Sequence, residues 1–138
     1  MVAGGCGIVG SGIVASLLNT GAKCWVTARS DAKFEELKKS LPVSVHSQLE
    51  MRKVNLCNEA ETQKLREEVL RKEGKLDHVV VSVGGWRQDG KLSAVSVDNY
   101  ETAIREMTLP HFVCYRTFSK LLSETPKSSY TFITGINE

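Results

Sequence analysis

A glycine-rich segment near the start of the chain constrains its fold more than any other feature. Gly5, Gly7 and Gly10 form the pattern G-x-G-x-x-G, and a stretch with helical apolar periodicity follows at once. Glycines at this spacing let a chain leave a strand, turn tightly and bring backbone N–H groups close to a pyrophosphate. The helix that follows directs its positive dipole end at the phosphates. The segment therefore predicts a nucleotide-binding βαβ unit, and the alternative is a helix that merely begins at a glycine-rich loop.

The rest of the chain alternates strand and helix patterns. Further strands are predicted at 23–28, 50–54, 77–83 and 128–134, and helices at 10–20, 31–40, 59–72 and 98–123. Pro110 falls inside the last helix and is expected to kink or divide it. Segment 43–49 is open to interpretation as a loop or the lead-in to a strand. The alternation predicts an α/β fold, a Rossmann-like doubly wound parallel sheet with helices on both faces, in one domain over residues 1–138.

Both ends of the chain are shorter than this fold requires. A dinucleotide-binding fold places a buried strand of about five residues before its glycine loop, but only Met1 and Val2 precede Ala3. At the other end, Glu138 comes shortly after the fifth predicted strand. We therefore expect a fold truncated at both ends, which leaves open a lost amino-terminal targeting segment.

Composition and charge argue against several classes of protein. The net charge is +2, and lysine and arginine are spread along the chain, so nothing favours nucleic-acid binding. No apolar run approaches the roughly 18 to 20 residues that span a bilayer, and no secretory signal is visible. The four cysteines are scattered without metal-ligand spacing. We therefore expect reduced thiols, no metal site, no membrane partner and a cytoplasmic location.

Arg29 is the most informative residue after the second predicted strand. An acidic residue there would hydrogen-bond the ribose hydroxyls of NAD, whereas arginine favours a 2′-phosphate through charge-assisted contacts. With Ser30 beside it, Arg29 predicts NADP(H) rather than NAD(H). Asp31 is an alternative ribose ligand, although a helix N-cap accounts for it better, and either Ser30 or Asp31 is expected to cap the helix at 31–40. Ser11 could donate a hydroxyl to the cofactor or simply cap the first helix.

Four features in order make the chain resemble the short-chain dehydrogenase/reductase family. Residues 3–10 resemble the family's cofactor loop T-G-x-x-G-x-x-G, with alanine in place of threonine. Asn55-Leu56 follows the third predicted strand, where the family has Asp-Val or Asp-Leu at the adenine ring. Ser-Val-Gly-Gly at 82–85 stands in place of Asn-Asn-Ala-Gly after the fourth strand. A long helix and a fifth strand then follow at the family's spacing.

The resemblance implies a cofactor site and two residues near a substrate. The candidate cofactor-binding residues are Gly4, Gly5, Gly7, Ile8, Val9, Gly10, Arg29, Ser30, Asn55, Leu56, Ser82, Gly84 and Gly85. Asn55 could reach the adenine amino group or act as a turn residue at a strand end. Trp86 is a candidate for lining a substrate pocket or covering a hydrophobic edge. Thr134 lies near the position of the family's serine and is a weak candidate for a substrate contact.

The family's chemistry depends on residues that this sequence lacks. A family member transfers a hydride between nicotinamide and a carbonyl or alcohol carbon, and the tyrosine of Tyr-x-x-x-Lys transfers the proton. No Tyr-x-x-x-Lys occurs here, and Met107 stands where the family has a helix asparagine. The resemblance therefore implies the cofactor-binding half of an NADP(H)-dependent oxidoreductase, inactive alone, with a small carbonyl or alcohol substrate in the intact protein. The alternative is a non-catalytic dinucleotide-binding or scaffold protein, and homo-oligomer formation is left open.

Overall fold

The computed structural model describes residues 1–85, 90–122, 124 and 126–135, and it places one parallel sheet at the centre of the molecule. The strands are β1 (Val2–Ala3), β2 (Cys24–Ala28), β3 (Leu49–Lys53), β4 (His78–Val81) and β5 (Ser129–Phe132). Their order in the sheet is β3-β2-β1-β4-β5, and every neighbouring pair is parallel. The predicted Rossmann-like fold class is therefore confirmed.

The helices connect successive strands. The first three are α1 (Ile8–Asn19), α2 (Asp31–Ser40) and α3 (Glu59–Glu73), close to their predicted bounds. Segment 43–49, for which a loop and a strand lead-in were both open, contains a 3₁₀ helix at Val43–Gln48. Another short 3₁₀ turn lies at Leu92–Ala94. Among the residues that the structure describes, no helix is both long and apolar enough to cross a membrane.

The single long helix predicted over 98–123 is instead divided into segments. α4 (Val97–Ala103) leads into a π-helical turn at Ile104–Thr108, which is followed by α5 (Leu109–Phe118) and a 3₁₀ turn at Ser119–Leu121. Pro110 lies shortly after the π-helical turn, in the first turn of α5. The backbone of Ala103, Thr108 and Leu109 is helical, so the helix continues through this region and changes to a wider turn just before the proline.

β1 contains only two residues, yet it occupies the central position of the sheet, as expected. Val2 is in register with Val26 of β2 and Val80 of β4. The amino group of Met1 donates to the carbonyl oxygen of His78 at 2.6 Å. Because burial disfavours the charged form, the pKa of this amine is lowered to about 6.

Two apolar clusters fill the two faces of the sheet. Val2 and Val26 pack with side chains of α1 and α2, including Val14, Leu18 and Phe34. Ala3, the next residue along β1, instead packs with side chains of α3 and α5, including Leu65 and Phe118. Successive residues of a strand point to opposite faces, so even a short β1 contributes to both clusters. This arrangement confirms helices on both faces of the sheet.

Charged side chains cover the indole ring of Trp25, which is itself buried. The ring N–H donates to Glu73 at 2.9 Å. The guanidinium of Arg52 lies 5.0 Å from the ring centroid, and the amine of Lys72 lies 5.3 Å from it. Arg52 also donates to Glu68, with Nε and an Oε atom 2.8 Å apart. Hydrogen bonding to Arg52 lowers the pKa of Glu68 to about 2.

Glu68→Gln should destabilise the chain by about 1 kcal/mol at neutral pH, because the partly exposed ion pair with Arg52 is lost. The folded-state pKa of about 2 lies below the ordinary value of 4.5. The carboxylate therefore stabilises the fold fully above that ordinary value and loses its effect as the pH falls towards 2. Urea unfolding at neutral pH and near ~pH 3 should show a smaller difference between variant and wild type in acid. An unchanged difference would contradict this assignment.

Candidate functional site

A cavity of about 740 Å³ opens at the carboxyl ends of the strands. This is the edge at which open α/β sheets bind their ligands. Loops after β1, β2, β3 and β4 and the π-helical turn all contribute to its wall. The predicted cofactor residues in this wall are Gly4, Gly7, Arg29, Ser30, Asn55, Leu56, Ser82, Gly84 and Gly85. These predicted residues come from the four loops after β1, β2, β3 and β4, which the fold brings together although they lie far apart in the sequence.

The glycine loop is packed so closely that two of its positions exclude a side chain. Gly4 has a φ of +75°, and a Cβ atom there would lie 2.3 Å from the carbonyl oxygen of Ser82. A Cβ atom on Gly10 would lie 2.4 Å from the carbonyl oxygen of Gly4. Both contacts are with backbone, which has little freedom to move away. Glycine therefore lets α1 begin directly against the loop and lets the loop contact the end of β4.

Four of the predicted glycine-loop residues lie outside the cavity wall: Gly5, Ile8, Val9 and Gly10. Gly5 serves packing, since a Cβ atom there would lie 2.8 Å from a methyl group of Val26. Ile8 is almost fully exposed and Val9 is about half exposed, so their side chains do not form the core of the loop. That the backbone N–H groups of these four residues approach a cofactor pyrophosphate remains a prediction.

The N-terminus of α1 begins at the glycine loop without a side-chain cap. Its N-cap is Gly7, and within this fully described helix the first turn carries no acidic residue. Such a helix end leaves backbone N–H groups available to an anion. Ser11 is not the cap, contrary to one of its two interpretations. It lies inside the helix, and its hydroxyl donates to the carbonyl oxygen of Ile8 at 3.0 Å.

Basic side chains gather where β2 ends and α2 begins. Arg29, Ser30 and Lys33 line the main cavity. Arg29 and Lys53 also line an adjoining cleft, together with Asn55. Lys33 was not predicted from the sequence; it lies in the first turn of α2 and reaches the cavity from that helix. Its amine pairs with Glu36 at 2.7 Å. This end of the cavity suits an anionic group.

Of the two residues expected to cap α2, the structure selects Ser30 rather than Asp31. The N-cap of α2 is Ser30, whose side chain makes no capping hydrogen bond, and Asp31 is the first helical residue. An acidic group in the first turn is favoured by the helix dipole. Its carboxylate accepts a hydrogen bond from Lys53 at 2.7 Å. Asp31 is absent from the described walls of both cavities.

Asn55 acts as a turn residue and also lies in the cavity wall. Its Oδ1 accepts the backbone N–H of Cys57 at 3.1 Å, which is a local turn typical of asparagine. Its own backbone N–H donates to Glu61 at 2.9 Å. At the start of α3, the side-chain amide of Asn58 donates a hydrogen bond to the carboxylate of Glu61 at 3.1 Å. The turn therefore holds Asn55 at the wall, and its contact with adenine remains a prediction.

The π-helical turn supplies the opposite wall. Arg105, Glu106 and Met107 line the cavity, as does Pro110. Wide helical turns of this kind are frequent at functional sites. Met107 lies in the cavity wall, at the position where the family has an asparagine. It presents a thioether there in place of the asparagine amide. Sequence reasoning missed Arg105 and Glu106, because a regular helix would not direct three consecutive residues to one cavity.

Two cysteines in the wall were also missed. Cys6 and Cys57 line the cavity and are partly buried, whereas Cys24 and Cys114 are fully buried. The thiol of Cys57 donates to the carbonyl oxygen of Arg105 at 3.2 Å, which connects the loop after β3 to the π-helical turn. Burial raises the pKa of the Cys6 thiol. Burial therefore favours the neutral thiol at Cys6, and Cys57 serves as a hydrogen-bond donor between two walls of the cavity.

Two further candidates, Trp86 and Thr134, were predicted near a substrate. Trp86 lies outside the part of the chain that the structure describes. Thr134 follows β5, is exposed, and is absent from the cavity wall. No group of three or more His, Cys, Asp or Glu side chains within the described ranges is arranged to hold a metal ion.

Comparison with solved structures gives the same fold. A short-chain type dehydrogenase/reductase from Mycobacterium ulcerans superposes with a TM-score of 0.80 at 21% identity, covering 95% of this chain and 48% of that one. ElxO with NADP bound gives 0.76 at 20% identity, with 84% and 46% covered. Serine dehydrogenase from Escherichia coli gives 0.74 at 20% identity, with 86% and 53% covered. The chain spans about half the length of these proteins.

Comparison with protein families identifies the family of the chain in addition to its fold. A comparison with curated proteins found no match. The family described as short chain dehydrogenase, however, matches residues 1–136, which is nearly the whole chain. The match includes the glycine loop, the ends of β2, β3 and β4, and the π-helical turn, which are the segments that form the cavity. The chain belongs to the short chain dehydrogenase family.

Proposed function

We propose that this chain is the cofactor-binding half of an NADP(H)-dependent oxidoreductase. The observation that carries the proposal is the single cavity that joins a glycine loop to the basic residues Arg29 and Lys33. NADP(H) carries a pyrophosphate and a separate 2′-phosphate. The open N-terminus of α1 suits the first group, and the guanidinium of Arg29 suits the second. The NADP bound to ElxO, which has a similar fold, supports this proposal.

The adenosine end of the cofactor would occupy the cavity between β2 and β3. Arg29 and Ser30 would hold the 2′-phosphate, with Lys33 as an additional cation. Asn55 and Leu56 form the wall at the end of β3, where the adenine ring would lie. The turn that fixes Asn55 leaves its side chain in place before a ligand arrives, and a preformed wall reduces the entropy lost on binding.

The nicotinamide end would lie where β4 ends. When bound, the nicotinamide ring supplies the hydride chemistry. Ser82, Gly84 and Gly85 line this end; a serine and two glycines without side chains leave room for a ribose and a flat ring. Met107 contributes an apolar side chain to the wall, and its thioether cannot donate a hydrogen bond. These residues bind and orient the ring, and none of them has an acidic proton suited to a carbonyl oxygen.

We infer that the chain alone does not reduce a carbonyl substrate, because its sequence lacks Tyr-x-x-x-Lys. A non-catalytic dinucleotide-binding protein is the second candidate. Met107 favours it, since this residue lies in the cavity wall and cannot form the hydrogen bonds of the family's asparagine. Both candidates require the same cofactor site, and they differ only in whether the intact protein transfers a hydride.

Titration of the purified chain with NADPH and with NADH tests the cofactor site. Calorimetry should give saturable binding of both, with NADPH bound more tightly by about tenfold or more because only it carries the 2′-phosphate. A folded chain that binds neither dinucleotide would overturn the proposal. Loss of NADPH absorbance in the presence of small ketones or aldehydes would separately contradict the inference that the chain alone is inactive.

A further inference from the structure

We propose that Lys53 is a positioning residue for cofactor selectivity, because its ion pair with Asp31 balances an acidic charge next to the 2′-phosphate site. This inference rests on the proposed NADP(H) site and deepens it. Arg29 alone does not define the charge at the end of β2, because the carboxylate of Asp31 follows it two residues later in the sequence. The ligand concerned is the 2′-phosphate of the dinucleotide, and the competing ligand is the free ribose hydroxyl of NAD(H).

The geometry brings together two residues from different elements. Lys53 is the last residue of β3, and Asp31 is the first residue of α2. Their Nζ and Oδ2 atoms lie 2.7 Å apart. Lys53 also lines the cleft that contains Arg29, so the ion pair lies beside the basic end of the cavity. Parallel pairing of β2 with β3 fixes this arrangement, because it places Lys53 in register with Ala28.

The electrostatic consequence follows from the charges that surround Arg29. Lys33 is already paired with Glu36, and the carboxylate of Glu61 accepts hydrogen bonds from Asn55 and Asn58. With Lys53 present, the charge of Asp31 is balanced, so the unbalanced carboxylate beside Arg29 is that of Glu61, which lines the same cleft. Without Lys53, the Asp31 carboxylate would add to the repulsion of a 2′-phosphate bound at Arg29.

A double-mutant cycle on the chain tests this mechanism. NADPH and NADH dissociation constants would be measured at low ionic strength for the wild type, Lys53→Gln, Asp31→Asn and the double variant. Lys53→Gln should weaken NADPH binding about threefold to fivefold, the upper part of the range for exposed ion pairs, and leave NADH binding unchanged or slightly tighter. Asp31→Asn in the Lys53→Gln background should restore most of the lost affinity. The effect should shrink as salt is added.

The outcomes separate this mechanism from its alternatives. A loss that persists in the double variant would show that Lys53 acts on the phosphate directly, which would overturn the role of Asp31. An unchanged ratio of NADPH to NADH affinity in Lys53→Gln would overturn the inference while leaving the proposed function intact. A wild type that binds neither dinucleotide would overturn both.

Lys75→Gln is the matched control for Lys53→Gln. Lys75 pairs with Asp77 at 2.9 Å, and its side chain is 59% exposed, close to the 57% of Lys53. Lys75 lies in neither of the two described cavity walls. The control should leave both dissociation constants unchanged. An equal loss in this variant would show a general effect of net charge and would overturn the specific role of Lys53.

Discussion

Gly10→Ala should lower the free energy of unfolding by about 3 kcal/mol, in the range of severe overpacking, and should abolish saturable NADPH binding. The added Cβ atom would lie 2.4 Å from the carbonyl oxygen of Gly4 and 2.8 Å from the Cα atom of Gly5. Both contacts are with backbone, so relief requires α1 to move away from the loop. Urea unfolding followed by circular dichroism measures the first effect, and calorimetric titration measures the second.

Gly12→Ala is the control, because it makes the same chemical change two residues later in the same helix. A Cβ atom on Gly12 would meet nothing within 4 Å. Alanine is favoured over glycine inside a helix, so this variant should be more stable than the wild type by about 0.5 to 1 kcal/mol. If Gly10→Ala were as stable as Gly12→Ala, the close contact between α1 and the loop could not be the reason for glycine at position 10.

The sequence predicted the fold well because its elements follow local rules. Asn58 is a common N-cap residue, and it caps α3 by accepting hydrogen bonds from the backbone N–H groups of Ala60 and Glu61 at 3.0 and 3.2 Å. Gly74 ends the same helix with a φ of 74°, as a glycine at this position commonly does. The form of the last helix was only partly predicted. Pro110 predicts an irregularity, because it lacks the backbone N–H of a regular helical turn, but it does not specify that the irregularity is a π-helical turn at Ile104–Thr108.

The candidate site was predicted where it depends on the ends of strands. Arg29, Asn55 and Ser82 each follow a strand, and parallel strands bring their carboxyl ends to one edge of the sheet. The missed residues lie elsewhere. Lys33 reaches the cavity from within a helix, and Arg105 reaches it from a π-helical turn. The pairing of Asp31 with Lys53 is a contact between distant residues, which a single sequence does not reveal.

Arg29→Asp should weaken NADPH binding about 100-fold, because a charge-assisted contact is replaced by repulsion between two anions. NADH should bind equally well or up to about tenfold more tightly, since an aspartate can accept hydrogen bonds from both ribose hydroxyls. The expected result is thus a reversal of preference, rather than a general loss of binding. Titration of the variant with both dinucleotides, alongside the wild type, measures it.

Lys64→Asp is the control for this reversal, because it changes the net charge by the same amount. Lys64 is exposed on α3 and lies in neither described cavity wall. It should leave the ratio of NADPH to NADH affinity at the wild-type value. A similar fall in that ratio would mean that net charge, rather than contact with the phosphate, sets the preference. If Arg29→Asp weakened both dinucleotides equally, Arg29 would be a structural residue of the cavity, and the assignment of NADP(H) would lose its main support.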